Sequence, residues 1–317
     1  MITAFVLSGG GSLGAVQVGM VQALTARNEK PDLLVGTSAG ALNAGYLAGH
    51  GTGREAVEAL ADIWVGLRRG DVFPFSPSRH MLALAGARES VFPSHRLRRL
   101  IESHLPYRNL QDAAIAVHVV ATNMLSGEEV LLSEGDACNA ILASTAIPGL
   151  LPPVRGGGLV LGDGAVANNT PISQAISLGA DRIYVLPAGV ACALAELPAS
   201  PYAAVLQAVS FLTQQRLIHE VSDLAGRTEL HVMPPLCPLS VSSADFSQAR
   251  TLIDRARVAT GMWLDAGHDR LPRPERFLSL HEHAAATSVP ETVDRRPESC
   301  GAVSDGDCRR KEQVRNE

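Results

Sequence analysis

The pattern of apolar and polar positions predicts strands that alternate with helices along most of the chain. Short apolar runs typical of strands occur at residues 2–7, 32–35, 113–121, 158–161 and 182–186. Helical spacing of apolar positions occurs at residues 15–27, 39–48, 54–68, 171–178, 202–224 and 244–266. The run at 113–121 is apolar at nearly every position, as in a parallel strand buried on both faces. The sequence therefore predicts an α/β fold with a mostly parallel sheet between helical layers.

Two stretches break this pattern. Residues 71–93 contain Phe73, Phe75, Phe92 and an apolar run at 81–85. This segment is too apolar for a loop that only connects two elements. They predict either a lid or a loop packed over the core, and both alternatives stay open. From residue 287 onward the chain has no aromatic residue and many charged ones, so we expect one domain over 1–286 and a disordered tail over 287–317.

Composition and charge exclude several classes of function. The chain has 317 residues and a net charge of -5 without a basic run, which gives no case for nucleic-acid binding. The five cysteines lack the spacing of a metal site, so no metal is expected. The chain start does not resemble a signal peptide, and no apolar run is long enough to span a bilayer. We therefore expect a cytoplasmic protein that is peripheral to a membrane at most.

The segment VLSGGGSLGA, residues 6–15, admits three interpretations. Gly9, Gly11 and Gly14 spell the GxGxxG of dinucleotide-binding proteins, but that motif needs an acidic residue at the end of the second strand. Asp32 stands at the beginning of that strand, so we expect no dinucleotide cofactor. A GxSxG motif around Ser12 and an anion-binding loop remain.

GxSxG occurs twice in the chain, around Ser12 and around Ser38. A nucleophilic serine of this type needs a strand that stops abruptly, a sharp turn and a helix directly behind it. The segment around Ser38 has all three, and Gly36 and Gly40 leave room for the turn. Ser12 lies in a wide glycine loop, so Ser38 is the predicted nucleophile. The start of a helix also favours negative charge that develops beside it.

The adjacent glycines at residues 9–11 then fit the third interpretation. Their N–H groups are unobstructed by side chains and open onto a helix N-terminus, which is typical of an anion site. The ends of parallel strands share one edge of a sheet, so this loop can lie beside Ser38 and receive an oxyanion.

The base that activates the serine has two candidate types. Asp163 follows a predicted strand in a tight Asp-Gly turn, at the same edge if that strand is parallel, although this dipeptide also favours ordinary turns. His219, His231 and His268 follow Ser38 and Asp163 in the order of an α/β-hydrolase triad. Both types stay open on this evidence.

Four motifs in order resemble the bacterial patatin-like phospholipases, between about residues 3 and 187. They are GGG at 9–11 with Gly14, GTSAG at 36–40, ASTAIPG at 143–149 with Pro152 and Pro153, and DGA at 163–165 with Asn169 and Pro171. The resemblance implies a three-layer α/β/α sandwich. It says little about residues beyond about 200.

The resemblance also implies an activity, which is serine-dependent hydrolysis of lipid acyl esters of the phospholipase A, lysophospholipase or carboxylesterase type. Ser38 matches the nucleophile, Asp163 the general base and acid, and the chemistry passes through an acyl-enzyme without metal or cofactor. The oxyanion hole is implied at Gly9, Gly10 and Gly11, supported by the glycines of the other motifs. These supporting glycines are Gly14, Gly36, Gly40 and Gly164. The expected partner is a lipid or ester substrate, with possible peripheral contact to a membrane.

Leu13 departs from the family pattern, because many members carry Arg or Lys at this position. This puts the preference for phospholipid over neutral ester in doubt, and Ala165, where glycine is common, is a milder variation. Two alternative functions stay open. One is an esterase with a Ser-Asp-His triad, and the other is a catalytically silent lipid-binding member of the fold.

Overall fold

A computed structural model describes residues 1–198, 200–224, 226–270 and 273–280. Within them, eight strands form one sheet, in which β3, β2, β1, β7 and β8 lie side by side in this order, β4 and β6 also pair with β3, and β5 pairs with β6. The strands are β1 Thr3–Leu7, β2 Leu33–Thr37, β3 Ala116–Asn123, β4 Glu129–Leu132, β5 Val154–Gly156, β6 Leu159–Asp163, β7 Arg182–Leu186 and β8 Glu229–Val232. The five strands from β3 to β8 along this order are parallel, whereas β4 and β6 run antiparallel to β3, and β5 antiparallel to β6.

Helices cover both faces of this sheet. They are α1 Gly14–Thr25, α2 Ala39–His50, α3 Arg54–Gly66, α4 Arg69–Val72, α5 Pro77–Leu84, α6 His95–His104, α7 Ala137–Ser144, α8 Ile172–Ser177, α9 Pro201–Leu224 and α10 Ala249–Asp265. Successive residues of a strand point to opposite faces. Phe5 and Leu7 of β1 accordingly enter the core that α1, α2, α3 and α10 cover, while Ala4 and Val6 enter the core under α8 and α9. The α/β/α sandwich with a mostly parallel sheet is confirmed.

The predicted strands and helices are found with shifted ends. Strand β3 starts at Ala116 rather than at 113, because Leu110–Asp112 form a turn of 3-10 helix before it. The helix predicted over 244–266 starts only at Ala249, since the Asp245 carboxylate accepts the N–H of Ser247 in a preceding turn. Strands β4, β5 and β8 were not predicted, because each is only three or four residues long.

Residues 71–93 are anchored at both ends and exposed in the middle. Phe73 and Phe92 are buried with their ring centroids 5.3 Å apart, and the Phe92 N–H donates to the carbonyl of Leu150. Between them Phe75 is 74% exposed, and Met81 of α5 is also exposed. The segment thus shares features of both predicted alternatives, a packed loop and a lid. The predicted tail, residues 287–317, lies outside the described residues.

Candidate active site

Ser38 occupies a strained turn between β2 and α2. Its φ of 53° and ψ of -120° lie in a region that non-glycine residues seldom adopt; among the non-glycine residues of the described part of the chain only Asn28 also has a positive φ. Gly40 permits the turn, because a Cβ there would lie 2.1 Å from the carbonyl oxygen of Leu7. Gly36 is similarly confined, since its Cβ would lie 2.5 Å from the carbonyl oxygen of Gly40. The chain geometry at Ser38 is that of a nucleophile elbow.

Asp163 reaches Ser38 from the opposite direction along the sheet. Strand β2 pairs with β3 as far as Thr37 opposite Val120, and β6 pairs with β3 from Asp163 opposite Ala121. Because β4 occupies the other edge of β3 at the same level, β2 and β6 meet end to end along one edge. Asp163 therefore lies where predicted, but at the end of an antiparallel strand and not of a parallel one. The Ser38 hydroxyl donates to Asp163 Oδ2 at 2.7 Å.

The Asp163 carboxyl group is buried, and burial has the largest effect on its pKa. Burial raises the pKa of Asp163 to about 6, against the opposing effects of the N–H of Ala165 and the hydroxyl of Ser38, which both donate to the carboxylate. Its main chain is also held, because Thr122 Oγ1 donates to the Asp163 carbonyl at 2.8 Å. Gly164 lets the chain turn there, since a Cβ would lie 2.3 Å from the Val120 carbonyl oxygen. The result is a fixed carboxylate with increased basicity.

The glycine loop packs directly against Ser38. A Cβ on Gly9 would lie 3.1 Å from the Ser38 Cβ, so the two main chains are in close contact. The N–H of Gly9 is already used, because it donates to the carbonyl of Asn169 at 3.1 Å. This corrects the expectation that all three glycines serve as oxyanion donors. Among the described residues, the N–H groups of Gly10 and Gly11 donate to no protein acceptor.

Two further positions of this loop have structural explanations. Gly14 starts α1, and a Cβ there would lie 2.8 Å from the Trp64 ring and 2.9 Å from the Ala39 Cβ, so it lets α1 approach α2 and α3. Leu13 is 1% exposed and packs in the main core. Its side chain therefore faces neither solvent nor substrate.

A chain of buried hydrogen bonds joins helix α2, which follows Ser38, to the glycine loop. Trp64 Nε1 donates to Asn43 Oδ1 at 2.7 Å, and Asn43 Nδ2 donates to Gln17 Oε1 at 2.8 Å. Gln17 Nε2 in turn donates to the carbonyls of Ser8 and Leu186, at the base of the loop. Since buried amides are costly to leave unpaired, this network fixes α2 relative to α1 and the loop.

Ser38, Asp163 and the glycines open into a cavity of about 390 Å³. Most of its wall is apolar and comes from the segments at 73 and 147–150 and from the first half of α9. The principal apolar residues are Phe73, Ile147, Leu150, Val205, Leu206 and Val209. In the described part of the chain no Lys, Arg or His side chain lines it. The cavity suits an uncharged apolar group that ends at Ser38.

The competing candidates lie elsewhere. Ser12 is buried, and its hydroxyl donates to the carbonyl of Ser242 at 3.1 Å. His231 lies on β8, three strands from β2, where it stacks on Tyr184 and contacts Glu229. His268 stacks on Phe277, and His219 is on the exposed side of α9. None of the three histidines lines the cavity, so the structure does not assemble the Ser-Asp-His triad from them.

Sequence reasoning missed two contributors to the site. Ser144 is fully buried, and its Oγ accepts the N–H of Ser38 at 2.8 Å. The first half of α9, including Tyr202 and Val205, forms one wall of the cavity. Ser144 falls within the ASTAIPG motif, which was the available signal, whereas nothing in the sequence around α9 indicates its position.

Among the described residues, no group of three or more His, Cys, Asp or Glu side chains could hold a metal ion. No helix within the same residues is long and apolar enough to cross a membrane.

Comparison with known proteins gave one family and several partial relatives. The family model described as patatin-like phospholipase matches residues 5–176, more than half of the 317 residues. An uncharacterised NTE family protein of Mycobacterium tuberculosis is 29% identical over 167 residues, which are 52% of this chain and 27% of that protein. A lysophospholipase of Neurospora crassa is 27% identical over 191 residues, which are 58% of this chain and 12% of that protein. The chain thus spans about a quarter or less of these relatives' lengths.

Two solved structures match this chain at low similarity. VipD from Legionella pneumophila is 18% identical with a TM-score of 0.45, covering 84% of this chain and 67% of that chain. Human GIVD cytosolic phospholipase A2 is 14% identical with a TM-score of 0.39, covering 88% of this chain and 60% of that chain.

Proposed function

Because the chain belongs to the patatin-like phospholipase family, we propose that it hydrolyses the acyl ester bond of a lipid, with Ser38 as nucleophile and Asp163 as general base and acid. The observation that carries this proposal is the 2.7 Å hydrogen bond from the Ser38 hydroxyl to a buried carboxylate at the end of an apolar cavity. A serine that donates directly to its base needs no intervening histidine.

The first half of the reaction acylates the enzyme. Ser38 Oγ attacks the ester carbonyl carbon, its proton passes to Asp163 Oδ2, and the carbonyl oxygen becomes an oxyanion. The N–H groups of Gly10 and Gly11 would receive that charge, an interaction worth about 3 to 4 kcal/mol per donor in such sites. When the tetrahedral intermediate collapses, the C–O bond breaks and the leaving alkoxide takes the proton from Asp163.

The second half releases the acid. Water attacks the acyl-Ser38 carbonyl carbon while Asp163 takes one of its protons, and the intermediate collapses to a fatty acid with the proton returned to Ser38 Oγ. Asp163 suits both halves, because a pKa near 6 leaves it ionised at neutral pH yet makes it a stronger base than an ordinary aspartate. The strained turn at Ser38 keeps the hydroxyl exposed to the substrate.

The cavity supports an acyl chain as the bound group. Its apolar wall would enclose that chain, and among the described residues no Lys, Arg or His lines the cavity to pair with a phosphate. Leu13 is buried and adds no charge. We therefore place the alcohol portion of the substrate, phosphorylated or neutral, at the cavity mouth toward the lipid aggregate, which implies peripheral contact with that aggregate.

The proposal is tested on a short-chain p-nitrophenyl ester, which is monomeric in water. Ser38→Ala and Asp163→Asn should each remove nearly all hydrolysis, whereas Ser177→Ala and Asp223→Asn, which alter exposed side chains, should keep it. A fluorophosphonate probe should modify Ser38, as located by peptide mass. An unlabelled protein would indicate a catalytically silent lipid binder, and an adduct on Ser12 or loss of activity in His231→Ala would overturn the assigned roles.

A further inference from the structure

The first half of α9 exposes an unusual amount of apolar surface. Residues 201–215 contain no charged side chain, and Arg216 is the first one in the helix. Val205 is 62% and Leu212 is 71% exposed, and Val209 and Phe211 are also exposed. Surface helices of water-exposed domains normally turn charged residues outward, so such a contiguous apolar face marks a contact surface.

This face continues directly into the cavity. Val205 and Val209 line the cavity and are also exposed outside it, so apolar surface continues from the cavity onto the outer face of α9, beside the polar Ser210 and Thr213 that also line the cavity. Val166, which follows the Asp163 turn, lines the same cavity and is exposed as well. An acyl chain that left an apolar environment through this mouth would therefore remain in contact with apolar side chains.

We infer that this face, residues 201–212 of α9 together with Val166, is the surface by which the protein docks on an uncharged or zwitterionic lipid surface. The inference rests on the proposed function, because an acyl ester substrate is what identifies the occupant as lipid. The chemistry of the face determines the kind of lipid. The face itself contains no Lys or Arg, the cation beside it, Arg216, already donates to the carbonyl of Ala167, and the net charge is -5, so attraction to anionic headgroups is weak.

Other occupants fit less well. Residues 281–317 contain no aromatic residue, leucine or isoleucine, so the chain's own end has little to bury against this face. A second copy of the protein could cover it, and the test below distinguishes that case.

The test compares binding to phosphatidylcholine vesicles by flotation. The variant combines Phe211→Ser with Leu212→Ser, two residues that are exposed but do not line the cavity. The matched control combines Val258→Ser with Met262→Ser on α10, where the side chains are 50% and 68% exposed. We expect vesicle binding to fall about tenfold or more in the α9 variant and to stay unchanged in the α10 control, with equal melting temperatures. Added phosphatidylserine should not strengthen binding.

Several results would overturn the inference. The first is that the α9 variant binds vesicles as well as the unmodified protein does. The second is that the α10 control loses as much binding as the α9 variant, and the third is that binding depends on phosphatidylserine. Concentration-dependent dimers that the α9 variant abolishes, without vesicle binding by the unmodified protein, would make the face a self-association surface. Hydrolysis of the monomeric ester is measured in parallel, so loss of binding with retained hydrolysis is distinguishable from failure of the proposed function.

Discussion

The N–H of Ser38 donates to the side chain of Ser144, 106 residues further along the chain, at 2.8 Å. The Ser144 hydroxyl in turn donates to the carbonyl of Val120 at 2.5 Å. The buried hydroxyl of Ser144 thus connects the turn that carries Ser38 to strand β3. Since the turn has a positive φ, this bond helps hold it in a conformation that the residue would otherwise leave.

We predict that Ser144→Ala lowers both stability and turnover. The Ser38 N–H would lose its buried acceptor, at a cost of about 1 to 3 kcal/mol. Because the turn at Ser38 would relax, kcat for a monomeric ester should fall about tenfold while KM changes little. A tenfold fall in kcat corresponds to about 1.4 kcal/mol in the activation barrier. Melting temperature and steady-state kinetics measure the two effects, with Ser177→Ala as control. An unchanged kcat in a destabilised protein would make Ser144 a purely structural residue.

The pH dependence of activity should report the protonation of Asp163. Its carboxylate must be ionised to accept the Ser38 proton, and burial raises its pKa to about 6. We expect kcat/KM for the monomeric ester to rise as pH increases through about 6 and then to stay level through pH 8. A midpoint near 4 would mean that burial does not act as described, and one that shifts in His231→Ala would implicate that histidine.

The same raised pKa predicts that Asp163 destabilises the fold at neutral pH. Between the pKa of about 3.9 expected in the unfolded chain and about 6 in the folded protein, the folded state binds more protons, so stability falls as pH rises. This cost, about 3 kcal/mol, is complete above pH 6 and absent below pH 4. Asp163→Asn should therefore be inactive yet more stable than the unmodified protein at pH 8.

Denaturant unfolding at pH 8 and pH 4 measures this difference. The stability gain of Asp163→Asn should shrink toward zero at the lower pH, while Asp223→Asn, an exposed aspartate on α9, should show no comparable gain. A variant that is less stable than the unmodified protein at both pH values would contradict the assigned linkage.

Gly10 offers a test of the proposed oxyanion loop in which a second substitution should restore the activity. A Cβ on Gly10 would lie 2.3 Å from the Cβ of Ala188, so Gly10→Ala should displace the loop. Loss of one donor of this kind lowers kcat by about 10² to 10³. Because Ala188→Gly removes the obstructing atom, the double variant should recover at least about tenfold of that loss. Equal activity of the single and double variants would show that the loop's position does not matter.

The turn around Ser38 was predictable because the sequence pattern that indicates it lies within one short segment. The strand, the glycines and the helix around Ser38 fall within a few consecutive residues, and each has one physical reason for its place. Asp163 was placed at the correct edge of the sheet although its strand is antiparallel. That outcome depends on β2 and β6 both pairing with one edge of β3, which brings together Ser38 and Asp163 from positions 125 residues apart.

The unpredicted parts all depend on contacts that no short segment encodes. The N–H of Gly9 is used by Asn169, and the support of Ser38 comes from Ser144. The raised pKa of Asp163 depends on its burial in the folded protein, which no short segment determines. Length and periodicity place a helix at 202–224, but only the fold brings its first half to the cavity.

The segment at 71–93 leads to a last prediction, that it acts as a lid over the cavity. Phe73 lines the cavity, and Val91 and Phe92 donate their N–H groups to the carbonyls of Gly149 and Leu150, which line it from the other side. The exposed Phe75 and Met81 lie between these anchors, where an apolar lipid aggregate could hold the segment away from the mouth. Phe75→Ser with Met81→Ser should therefore reduce hydrolysis of a micellar ester by about tenfold while leaving a monomeric ester nearly unaffected. The α10 variant Val258→Ser with Met262→Ser is the control, and equal effects on the two substrates would identify the segment as a packed loop.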